Sequence, residues 1–171
     1  INTVGCVNNS SERIAAICRD RYRSVTGIEG VYAFQHPYGC SQLGDDLQYT
    51  QKVLAGLIKH PNAGGVLVLG LGCENNQLQG LLEYAALKDE KPIKFFNAQD
   101  VGDEVEAGVA AVDELAEIVG TFQRVECLTS DLVIGLKCGG SDGFSGITAN
   151  PLVGRVADRL TALEGTAILT E

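Results

Sequence analysis

The run Gly65-Val66-Leu67-Val68-Leu69-Gly70-Leu71 leaves few folds open to this chain. An unbroken stretch of Val, Leu and Gly at strand length is buried on both faces, and such strands belong to parallel sheets covered by helices on each side. The surrounding sequence has the matching rhythm, with apolar runs of strand length alternating with segments of helical period. Strands are expected at Thr3–Val7, Val31–Phe34, Gly65–Leu71, Ile93–Phe96, Leu132–Leu136 and Ala167–Leu169. Helices are expected from about Ser10, with Ser10 or Ser11 as N-cap, and over Asp45 to Lys59, Leu78 to Leu87, Glu104 to Val119 and Pro151 to Leu163. Ile14, Ile17, Cys18 and Tyr22 fall on one face of the first helix, which makes Cys18 a core residue. His60, before Pro61, reads as a helix C-cap. The expected fold is α/β: an open, mostly parallel Rossmann-like sheet with helices on both faces. Residues 1–126 form a central unit, and residues 127–171 start a second unit that packs on the same sheet or continues it.

Composition narrows the class. At 171 residues, 45% hydrophobic and 20% charged, the chain is globular rather than disordered. A net charge of −9 argues against nucleic acid or an anionic membrane as partner. No apolar run approaches the roughly 20 residues of a membrane helix, and no secretory signal is present. Six widely spread cysteines in a chain this size read as reduced cytoplasmic thiols rather than staples. The chain opens at Ile1 inside an apolar run and ends just after Ala167-Ile168-Leu169, so it reads as a piece of a longer polypeptide.

Four cysteines sit alike. Cys6, Cys40 and Cys73 each follow a glycine and Cys138 precedes two, all at or just past the carboxyl end of an expected strand. That edge of a parallel sheet is where ligands bind, because its loops converge there. Thiolates suit a metal or an iron–sulfur centre, while the absence of a Cys-x-x-Cys pair argues against a closed zinc site. Small thiols filling tight loops are the structural alternative. His36, in Gln35-His36-Pro37-Tyr38-Gly39-Cys40, lies on a polar loop, where an imidazole serves as base or ligand. Gly70-Leu71-Gly72-Cys73-Glu74-Asn75 imitates a dinucleotide fingerprint, but Asn75 stands at the third glycine position and only Asp100 is left as a ribose acid.

The segment Lys137-Cys138-Gly139-Gly140-Ser141-Asp142-Gly143-Phe144-Ser145-Gly146 is more specific. Its glycines let backbone N–H groups approach an anion, Lys137 adds positive charge, and Thr148-Ala149-Asn150-Pro151 opens a helix whose N-terminus favours a carboxylate or phosphate.

These motifs resemble the altronate/galactarate dehydratase family of sugar-acid hydro-lyases, over nearly the whole chain. The resemblance is densest in Thr3 to Asn9, His36 to Cys40, His60-Pro61-Asn62 with Gly70 to Glu74, and Lys137 to Leu152, and it is closer to the altronate type. It implies loss of water from a polyhydroxy acid to give a 2-keto-3-deoxy acid, and a need for iron, as single ion or cluster. It also implies further segments before and after this one, which the fragment would need for activity. The role assignment is the chemistry's. Cys40, Cys73 and Cys138 are the expected metal ligands, and Lys137 with Gly139, Gly140, Ser141 and Asn150 the expected holders of the substrate's charge. His36, Glu74 and Asp142 are the candidates for moving protons, with Lys137 stabilising the enolate. A homodimer is a compatible assembly. The competing readings are a related lyase, such as the large subunit of sulfolactate sulfo-lyase, and a non-catalytic scaffold or oligomerisation module.

Overall fold

The computed structural model describes residues 1–86, 91–140 and 142–170. It divides into two compact units, Ile1–Gln123 and Arg124–Glu171.

In the first unit, β1 (Val66–Gly70) pairs in parallel with β2 (Ile93–Asn97), in a register that runs from Val66 opposite Ile93 to Gly70 opposite Asn97. A parallel pair needs a crossover, and α3 (Leu78–Ala85) lies in the connection. Three further helices complete the unit: α1 (Asn8–Tyr22), α2 (Asp45–Ile58) and α4 (Glu104–Val119). Alternation along β1 sends its side chains both ways. Val66 and Val68 pack with Leu54 and Ile58 of α2 and with Leu78 and Leu81 of α3. Leu69 packs with Val4, Val7, Ile14 and Cys18, backed by Val105, Val109 and Val112 of α4. β1 is therefore buried between two helix pairs, as its composition required. Each fully buried aliphatic such as Ile58 contributes about 1.5–3 kcal/mol. Gly108 lets α4 approach α1 so closely that a Cβ there would overlap Ile14.

The second unit holds β3 (Val133–Lys137), α5 (Ala149–Ala162) and β4 (Thr166–Thr170), with β3 and β4 parallel and Val133 opposite Thr166. The named strands thus form two two-stranded sheets rather than one.

Two expected strands are not formed. Past Asn2, which makes a single bridge to Leu69, the segment Gly5–Val7 winds into a 3-10 turn. The cause is Gly5, whose N–H donates to the Tyr38 carbonyl 2.9 Å away and pulls the chain off β1. Residues 31–34 join neither sheet. The Val31 carbonyl accepts from Arg19 Nε at 3.2 Å instead of from a strand neighbour. The first helix begins at Asn8, two residues earlier than expected, and neither serine is its N-cap. Ser10 donates to Glu104 and Ser11 to the Asn8 carbonyl. His60 does not cap α2 with its side chain: its Nδ1 accepts from the Asn62 N–H, and Lys91 donates to the Ile58 and His60 carbonyls. α3 ends at Ala85 with a left-handed Ala86, and the expected end at Leu87 lies outside the described residues. No helix among the described residues is long and apolar enough to cross a membrane.

Candidate functional site

Three Gly-Cys loops of the first unit are bound to one another through their backbones. Loop one, Thr3 to Cys6, is joined to loop two, His36 to Ser41, by the Gly5 N–H on the Tyr38 carbonyl. A Cβ at Gly5 would stand 2.7 Å from the His36 carbonyl oxygen, so only glycine permits the approach. Gly39 is tighter still: at φ +106° it sits where a Cβ would overlap the Thr3 carbonyl oxygen and Val4. Loop three, Leu71 to Asn76, joins loop two through the Asn76 N–H on the Gly39 carbonyl at 3.0 Å. It joins loop one through Asn76 Nδ2, which donates to the Thr3 carbonyl at 2.8 Å.

Glu74 locks the same frame from inside. It is 2% exposed, and its carboxylate accepts from the Thr3 hydroxyl, from the Leu71 N–H at 3.0 Å and from the Gly72 N–H at 2.6 Å. Burial is the largest single influence and opposes ionisation. Together, hydrogen bonds from Thr3 and from the Glu74, Gly72 and Leu71 backbone outweigh it and hold the carboxyl below the usual glutamate value. These are the N–H groups a dinucleotide fingerprint would offer to pyrophosphate. Here the loop's own carboxylate fills that place, and Asp100, the expected ribose acid, accepts from Asn97 instead.

His36 is equally committed. Its Nδ1 accepts from the Tyr38 N–H at 3.2 Å, which leaves Nε2 protonated and donating to the Asn2 carbonyl at 2.9 Å. Its own backbone is held from both sides by Asn8. Both ring nitrogens therefore have hydrogen-bond partners within the frame.

The thiols point the other way. Cys6, Cys40 and Cys73 are all exposed, while Cys18 is fully buried, its pKa pushed up to about 11 by burial and then by Asp113. Cys40 is raised as well, by desolvation first, then by the neighbouring Cys6, Cys73 and Glu74. The Cys73 sulfur accepts from Gln99 Nε2 at 3.9 Å. Cys6, which follows the same Gly-Cys pattern, stood outside the expected ligand set. Thiolate donors are of the kind iron takes. As the side chains are oriented, no group of three or more His, Cys, Asp or Glu among the described residues is close enough to hold a metal ion.

The remaining candidates belong to the second unit. Lys137 ends β3, is exposed, and forms no ion pair among the described residues. Cys138, Gly139 and Gly140 are exposed, and a Cβ at either glycine would meet nothing within 4 Å. Asp142 folds the loop: its Oδ1 accepts from the Phe144 N–H at 2.9 Å, while its carbonyl accepts from Ser145. Asn150 lies in the exposed first turn of α5. Ser141 lies outside the described residues. An apolar groove of about 340 Å³ between β3 and α5 is lined by Leu132, Ile134, Val156 and Leu160 and by none of the candidate residues.

Comparison with known proteins agrees with this arrangement of motifs. The profile described as "D-galactarate dehydratase/Altronate hydrolase, second domain" matches residues 1–120, and "D-galactarate/Altronate dehydratase, C-terminal" matches residues 129–171. The chain is 50% identical over 171 residues to an altronate dehydratase of Bacillus subtilis (strain 168), covering all of this chain and 34% of that protein. It is 45% identical over 169 residues to an altronate dehydratase of Escherichia coli (strain K12), covering 99% and 34%. To the galactarate dehydratase (L-threo-forming) of the same organism it is 37% identical over 121 residues, covering 66% and 23%. The chain therefore spans about a third of the length of the altronate dehydratases it matches. No solved structure matches it. With both profiles matching in succession, the chain belongs to the galactarate/altronate dehydratase family of sugar-acid hydro-lyases.

Proposed function

We propose that this chain is the part of a sugar-acid dehydratase, altronate first and galactarate next, that carries its thiol frame and its anion-binding loop. The observation that carries the reading is the interlocked trio of Gly-Cys loops, which spends its backbone and buried polar groups on rigidity and leaves three thiols exposed. The reaction removes a proton from the carbon beside the carboxylate and expels the β-hydroxyl as water; the enol left behind becomes the 2-keto-3-deoxy acid. Iron bound through Cys40 and Cys73 would supply Lewis acidity.

The chain's own residues divide the work. Lys137 and the N–H groups of Gly139 and Gly140 hold the substrate carboxylate and the negative charge that grows on it as the proton leaves. Asp142 keeps one carboxylate oxygen free of the Phe144 N–H for proton transfer. Glu74 and His36, fully engaged within the frame, act as positioning residues. We read β1, covered by helix pairs on both faces, as the core of a larger open Rossmann-like sheet. Six free cysteines fit a reducing cytoplasm, and the remaining chain of the full-length enzyme and a second copy are the partners this reading implies.

The test is turnover. Full-length reduced protein, supplied anaerobically with ferrous iron, is expected to release 2-keto acid from altronate faster than from galactarate. Absence of turnover with both acids would falsify the reading.

A further inference from the structure

Ser41, next to Cys40, stands at φ +56°, in the left-handed region that residues with a side chain rarely adopt. Such a conformation persists only where its surroundings over-determine it. Here the surroundings are loop three. The Ser41 N–H donates to Asn75 Oδ1 at 2.6 Å, across 34 positions of sequence, and the Asn76 N–H donates to the Gly39 carbonyl at 3.0 Å. These bonds hold the two peptide groups that flank Cys40, one by its carbonyl and the other by its N–H. Peptide groups are planar, so orienting both sets φ and ψ of the residue between them, and with them the direction of its Cα–Cβ bond. Gly39 is anchored again by its N–H on Oε1 of the buried Gln42 at 2.8 Å, and Gln42 donates to Asp46 and Thr50 of α2. The exposed Cys40 thiol is left with rotation about χ1. Asn75 and Ser41 are themselves exposed, so their bond seals no core. What it accomplishes is the placement of the residue beside it.

We propose that Asn75 is a positioning residue for Cys40: its amide oxygen holds the Cys40–Ser41 peptide, and so aims the thiol of loop two from loop three. A glycine at this position, as a dinucleotide fingerprint would have, offers Ser41 no oxygen. The proposal rests on the dehydratase reading above, in which Cys40 is a working thiol, and adds the group that sets its direction against a bound sugar acid.

The test compares two variants of the full-length reduced protein, assayed anaerobically with ferrous iron and altronate. Asn75→Ala removes the acceptor, and Asn75→Asp keeps an oxygen in its place. Amide hydrogen exchange at Ser41 reads the bond itself and needs no turnover. In Asn75→Ala it is expected to rise about tenfold, as one hydrogen bond is lost. In the same variant kcat should fall about tenfold or more while KM stays within about threefold, the pattern of lost alignment rather than lost binding. Asn75→Asp should return both exchange and kcat to within about threefold of the unaltered enzyme. If Asn75→Ala frees the Ser41 amide and kcat does not change, Asn75 serves the loop alone, and the proposal fails while the dehydratase reading stands. If kcat falls without faster exchange, or Asn75→Asp restores exchange but not kcat, the side chain does not act through Ser41, which also overturns it. If the unaltered enzyme turns over neither altronate nor galactarate, the dehydratase reading fails and takes this proposal with it.

Discussion

The Thr3 hydroxyl donates to the Glu74 carboxylate across 71 positions of sequence, and both side chains are sealed from solvent. That bond joins the first Gly-Cys loop to the third below their thiols. It makes a charged carboxylate part of the scaffold, and its effects can be measured.

Glu74→Gln replaces one acceptor oxygen with an NH₂ that faces either the Gly72 N–H or the Leu71 N–H and Thr3 hydroxyl. The expected loss is about 1–3 kcal/mol in urea unfolding, the cost of leaving buried polar groups unmatched. The pH dependence has a definite sign. Glu74 is held below its ordinary value of 4.5, so the unfolded chain takes up the proton first as pH falls. The carboxylate's contribution is complete above that ordinary value and disappears as pH drops through the lower folded one. The stability gap between wild type and Glu74→Gln should therefore be widest near neutrality and shrink on acidification.

Glycines in the two units should behave oppositely. Gly39→Ala forces a Cβ into the Thr3 carbonyl at a positive φ and is expected to cost about 2 kcal/mol or more. Gly139→Ala meets nothing and should stay within about 0.5 kcal/mol of wild type. A matching drop in sugar-acid affinity for Gly139→Ala, with the melting temperature unchanged, would mark that loop as a binding surface.

His36 distinguishes positioning from proton transfer. Because both ring nitrogens are engaged, His36→Gln, which keeps a donor for the Asn2 carbonyl, should retain kcat within about tenfold, whereas removing a general base costs about 100-fold or more. The pH–rate profile should keep both limbs. Loss of one limb in His36→Gln would return the imidazole to the chemistry.

Lys137→Ala tests the anion loop. Removing one charge-assisted hydrogen bond to a carboxylate should raise the KM for altronate about tenfold or more. The unfolding midpoint should not move, since Lys137 is exposed and forms no ion pair among the described residues.

The sequence was most readable where one physical signal dominated. The unbroken apolar run around Val68 marked β1 as buried on both faces, and the helical period over Glu104 to Val119 matched α4 at both ends. It misled where a tertiary bond overruled local pattern. Thr3 to Val7 has strand composition, yet Gly5 is drawn to Tyr38 and the segment coils. Val31 to Phe34 is apolar, but Arg19 takes up the Val31 carbonyl. The Gly-Cys repeat placed Cys6, Cys40 and Cys73 at equivalent points without revealing that hydrogen bonds tie their loops together. Nor does a Glu among glycines announce that three donors will hold it, or a loop histidine that both its nitrogens are taken, because those partners lie up to 71 residues away.

The carboxylate in the third loop also bears on what the molecule ignores. Cells hold nucleotides at high concentration, and a strand followed by Gly-x-Gly is the opening through which many proteins come to recognise them. Glu74 closes that opening with an anion covalently belonging to the chain, so every free phosphate meets a place already taken and a charge that repels it. A single buried side chain thus occupies the donors that a phosphate would otherwise take.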